Sequence, residues 1–145
     1  MTLSASSVRR FAGALLVTTS LTMIALAEPA QASDLDRFFN SGYTYCDAKL
    51  IGDLWGIGVD EAKTQIGMKI RTGIGGNIPR VLRLSRQGGN ACTWEDTGLS
   101  YDDAVQLADL WGLSEPYRAK LKVARYYTRG ESAIVTRALA GGYGD

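Results

Sequence analysis

One twelve-residue phrase is written twice in this chain. "YCDAKLIGDLWG" runs from Tyr45 to Gly56 and "YDDAVQLADLWG" from Tyr101 to Gly112, with seven identities in twelve positions, where average composition would give about one. The match continues past the phrase with one inserted residue: Ala62-Lys63 meets Ala119-Lys120, Ile66 meets Val123, Gly73 meets Gly130, Arg80 meets Arg137 and Leu82 meets Leu139. An internal duplication of this period restricts the fold to two copies of one supersecondary unit. Neither copy covers its apolar faces alone, so the two are expected to pack on each other about a pseudo-two-fold axis.

The punctuation of each copy is helical. Thr44 and Ser100 each stand three residues before an aspartate, Asp47 or Asp103, which predicts a capping box, and Gly56 and Gly112 stand where a helix takes a left-handed terminator. First helices follow at 45–55 and 101–111, with Tyr45, Ala48, Ile51 and Trp55, and again Tyr101, Ala104, Leu107 and Trp111, at the spacing of one buried face. Second helices are predicted at 59–72 and 115–129, and third helices at 77–86 and 132–140 with Asn77 and Ser132 as caps. Small residues recur in register, Gly52 with Ala108 and Gly67 with Ala124, as expected where another helix crosses closely. No stretch alternates with a period of two. The expected fold is all-α: two tandem three-helix units, unit one at 44–86 and unit two at 100–140, joined by a connector at 87–99.

Residues 1–32 differ in composition from the rest. Arg9 and Arg10 precede a mostly apolar stretch from Phe11 to Ala27, and Ala30-Gln31-Ala32 forms an A-x-A site, the pattern of a cleaved secretory signal peptide. The hydroxyl residues in that stretch argue against a membrane anchor. The remaining 33–145 segment is 113 residues, one domain's worth, with 14 basic and 14 acidic residues. Zero net charge speaks against a nucleic-acid binder. Export to the periplasm or cell exterior is oxidising, so Cys46 and Cys92 are expected to form one disulfide, which on the chain-entropy model adds about 4 kcal/mol.

Catalytic chemistry has little to stand on. The chain has no histidine, which removes the usual general base and metal ligand, and two paired cysteines leave no zinc or iron–sulfur site. No metal or cofactor is expected. "TGIGGN" at 72–77 lacks the lysine of a phosphate loop and falls between two helices. Carboxylate pairs exist at Glu95–Asp96 and Asp102–Asp103, the basis of an alternative reading as a small envelope glycan hydrolase.

Charge is distributed in blocks. Ala62 to Trp94 carries six basic residues and no acid, Glu95 to Glu115 six acids and no base, and Arg118 to Arg137 six basic residues against Glu131 alone. Arg80, Arg83 and Arg86 recur every three residues, so they are expected to form a basic stripe facing an anionic partner, extended by Lys69 and Arg71. Asp53 and Asp109 lie in a last helical turn, where the dipole disfavours them; bridges to Lys63 and Lys120, or to Arg80 and Arg137, are the expected compensation. Trp55 and Trp111 are expected to be core anchors. The function expected is non-catalytic, binding or scaffolding at the envelope. The partner would be a protein or an anionic envelope component, with a membrane surface and a homodimer as further candidates.

Overall fold

The computed structural model describes residues 30–141, and among them it is all-helical. The helices are α1 (Ala30–Phe39), α2 (Tyr45–Trp55), α3 (Val59–Arg71), α4 (Ile78–Gln87), α5 (Tyr101–Leu110), α6 (Pro116–Arg129) and α7 (Ser132–Leu139). Short 3-10 turns occupy Gly75–Asn77 and Glu95–Thr97. The expected signal segment lies outside the described residues except for its last three, which begin α1. No helix among the described residues is long and apolar enough to cross a membrane.

The repeated phrase folds the same way at both places. Thr44 and Ser100 each accept a hydrogen bond from the backbone N–H three residues on, at 3.1 and 3.2 Å, and the aspartates Asp47 and Asp103 accept from the cap's own N–H at 2.9 and 2.7 Å. At the far end Gly56 and Gly112 take φ of 68° and 62°, and the next residue's N–H reaches back to a small residue's carbonyl, Ile57 to Gly52 at 3.0 Å and Leu113 to Ala108 at 2.8 Å. Asn77 makes no side-chain cap on α4, and α7 starts at Ser132, so neither caps a third helix as expected. Ser132 is the first helical residue rather than the cap, and Asn77 has αR backbone (φ −87°, ψ −12°) in place of the extended conformation of a capping residue.

Two cores form. The first gathers Phe38, Leu50, Ile51, Ile66, Ile78 and Leu82, with Cys46 and Cys92 buried among them. The second is smaller and richer in alanine: Leu107, Val123 and Val135 with Ala108, Ala119 and Ala138. Tyr127 packs against both. The Cys46–Cys92 disulfide ties the start of α2 to the connector, with the two Cα atoms 5.8 Å apart. Buried Ser85 on α4 donates to the Leu50 carbonyl of α2 and accepts from Asn90 Nδ2 at 3.0 Å, so its hydroxyl is satisfied inside the first core.

Helix α1 lies ahead of unit one and mostly beyond the expected signal segment. It runs antiparallel to α3: buried Asp34, near its start, receives Arg71 Nε at 2.6 Å, while Leu35 and Phe39 share a cleft with Asp60 and Thr64. The approach is close enough that a Cβ on Gly67 would fall 1.7 Å from the Asp34 carbonyl oxygen. Only glycine fits there.

Candidate functional site

The arginine stripe expected on α4 divides. Arg80 and Arg83 are exposed and make no ion pair among the described residues. Arg86 turns inward: its Nε donates to the Thr128 carbonyl of α6, and Nη2 lies 3.5 Å from Asp47 Oδ1. One guanidinium thus links the N-terminus of α2 to the C-terminus of α6. Arg71 is committed to Asp34, and Lys69 lies over the Trp55 ring at 5.6 Å from its centroid. The five expected cations are therefore not one open surface, because three of them already face groups of their own chain.

The aspartates of DLWG also differ from expectation. Asp53 meets Lys49 of its own helix at 2.6 Å, not Lys63 or Arg80, and Asp109 makes no ion pair among the described residues because its corresponding position is Val105. The recurring lysines serve the tyrosines instead. Lys63 lies 4.7 Å from the Tyr45 ring centroid while pairing with Asp60, and Lys120 lies 5.1 Å from Tyr101 and 5.4 Å from Trp94. Tyr45 and Tyr101 are accordingly exposed rather than core residues, at 46% and 62%. Trp55 and Trp111 are half-buried against the first and second cores. Trp111 stacks at a tilt on Tyr126 and carries Lys122 at 4.4 Å, and its indole N–H is buried with no acceptor among the described residues.

A different basic face emerges on α6. Arg118, Lys122, Arg125 and Arg129 are spaced by four, three and four residues, which keeps them within about 60° of one another around the helix and spreads them over about 16 Å of its length. None makes an ion pair among the described residues. Arg125 Nε only returns to the Leu121 carbonyl of its own helix, at 3.3 Å. Tyr117 and Leu121 project beside them, 64% and 45% exposed. Together they line a groove of about 530 Å³: Leu113, Tyr117 and Leu121 supply its apolar lining, Arg118, Lys122 and Arg125 its basic lining, and Glu115 stands where α6 begins. The blocks of charge in the sequence include these residues, but the angle at which they meet is visible only when they are placed on one helix.

One member of each carboxylate pair is engaged in a turn or a cap, Asp96 and Asp103. Asp96 accepts from the Thr93 N–H at 2.8 Å and from its hydroxyl at 3.1 Å. Glu95 is held below the usual carboxylate range, first by its own backbone N–H and then by Thr93, and Asp103 is held down by the Ser100 backbone and hydroxyl. No cluster of three metal-ligating side chains occurs among the described residues. The chain matches no protein-family model, and no curated protein and no solved structure is similar to it.

Proposed function

We propose that this is an exported, non-catalytic binding or scaffolding protein of the periplasm or cell envelope that takes up an anionic partner through the basic face of α6. The observation that carries the reading is the contrast in charge use. Arg71 and Arg86 are consumed by Asp34 and Asp47 inside the fold, whereas Arg118, Arg125 and Arg129 share one face of α6 with no ion pair among the described residues, beside Lys122, which lies over the Trp111 ring. Like charges at helical-neighbour spacing repel by a few tenths of a kcal/mol each, so a folding role alone gives no reason to collect them. Export is supported by the signal-like composition of 1–32 and by the disulfide, which suits an oxidising compartment. A non-catalytic role is supported by Asp96 and Asp103 spending their oxygens on turn and cap hydrogen bonds.

The test is binding of the purified chain to immobilised polyglutamate over a salt gradient. Arg118→Glu combined with Arg125→Glu is expected to release the protein at clearly lower salt, while Arg80→Glu combined with Arg83→Glu, which leaves the α6 face intact, is expected to move elution much less. Equal shifts from the two pairs, or no retention of the parent chain, would remove the α6 reading.

A further inference from the structure

In the register of the repeat α3 and α6 are equivalent helices, offset by 57 positions. The line on α3 along which α1 lies runs through Asp60, Thr64, Gly67 and Arg71. Its counterpart on α6 is Tyr117, Leu121, Ala124 and Thr128. The second half of that counterpart is covered by unit one and the connector: the Thr128 carbonyl receives Arg86, and its hydroxyl accepts from the Cys92 N–H at 2.9 Å. The first half, Tyr117 and Leu121, is bare and more apolar than its equivalents, the exposed Asp60 and half-buried Thr64 at the rim of the α1 contact. The neighbouring line changes character in step. Where α3 has Glu61, Gln65, Met68 and Thr72, α6 has Arg118, Lys122, Arg125 and Arg129.

We infer that the partner on the α6 face is a protein helix, apolar along one side and acidic beside it, lying across Tyr117 and Leu121 as α1 lies across α3. This deepens, and rests on, the proposal that α6 binds an anion. In unit one a helix packs on this line at Gly67 and Arg71, and its Leu35 and Phe39 reach the cleft at Asp60 and Thr64. On α6 the cations fix the charge of a helix over the apolar counterparts of that cleft. A hydrophilic anionic chain would leave Tyr117 and Leu121 in water. The α1 helix of a second copy does not fit the same way: Ala124 places a Cβ where Gly67 has none, and Thr128 offers Asp34 no guanidinium. The occupant therefore stands further off, seated on the Tyr117 and Leu121 side chains, and its footprint ends before Thr128.

The experiment uses two short stapled peptides of alanine, leucine and glutamate with the same composition. One has its leucines along a single helical face and the other is scrambled. Fluorescence anisotropy with the full chain is expected to give binding at least about tenfold tighter for the one-faced peptide, localised by chemical-shift changes at Leu121 and Tyr117. Leu121→Ser, an exposed change whose fold is checked by circular dichroism, is expected to abolish that preference. Arg118→Glu with Arg125→Glu is expected to weaken both peptides. Equal affinity for the two peptides would overturn the helix inference and leave the anion reading standing. So would retention on phosphatidylglycerol vesicles without peptide binding, or a salt-sensitive dimer in sedimentation that protects Leu121. Failure of peptides, vesicles and polyglutamate alike would remove both.

Discussion

Unit one and unit two share caps, terminators and helix order, yet they are filled differently. The first core holds leucines, isoleucines and Phe38 and is stapled by a disulfide, whereas the second has three alanines among its six buried members. Unit one also has a helix over its second helix, and unit two has Arg86 of unit one and Cys92 of the connector there instead, both meeting Thr128. The difference teaches that matching local sequence sets matching local structure, while energy is shared unequally. Unit two leans on unit one.

The largest effect expected is from removing the staple. Replacing Cys46 and Cys92 by alanine should cost about 4 kcal/mol, read as a fall in the denaturant midpoint, and should loosen unit two as well through Thr128. Next, Gly67→Ala drives a Cβ into the Asp34 carbonyl and should cost about 3 kcal/mol, with α1 becoming sensitive to limited proteolysis. The reverse change at the equivalent place, Ala124→Gly, should cost only about 1 kcal/mol of helix propensity. Similar losses at 67 and 124 would erase the contrast between the units.

Arg86→Met tests the junction. It leaves the Thr128 carbonyl and Asp47 without their cation and should cost about 2 kcal/mol, whereas Arg83→Met should stay within about 0.5 kcal/mol. Acid sharpens the comparison further. The Asp103 carboxyl sits below its ordinary value in the fold, so its contribution is present at neutral pH and is lost as pH falls through about 4 and below. Ser100→Ala, which removes one of the hydrogen bonds responsible, should flatten the acid limb of a melting-temperature profile. The smallest effects belong to DLWG itself. Asp53→Asn should cost about 0.5 kcal/mol or less, since it loses only an exposed pair with Lys49, and Asp109→Asn should be neutral or slightly stabilising.

Much of this fold is legible in the sequence. Thr44, Ser100, Gly56 and Gly112 act through bonds three to five residues long, so the first helices begin where they are expected and end within a residue of it. The disulfide follows from there being two cysteines and nothing else for them to do. What local pattern does not carry is pairing across distance. Asp34 with Arg71 and Arg86 with Thr128 join residues 37 and 42 positions apart, and no spacing rule distinguishes them from solvated charges. Helix α1 was visible in principle, since Leu35, Phe38 and Phe39 recur at helical spacing. The basic face of α6 was visible too, but counting charges in runs blends it with Lys120, which points to the aromatic side of the same helix.

The order of the two units along the chain gives the disulfide another consequence. Both cysteines and all the buried residues of the first core precede position 100, so the first core and its ring closure need nothing from the second phrase. The second core, by contrast, borders groups that come earlier in the chain. For its alanine-rich core that border is a template in the spatial sense, with the Cys92 N–H and the Arg86 guanidinium fixing Thr128 in the last turns of α6.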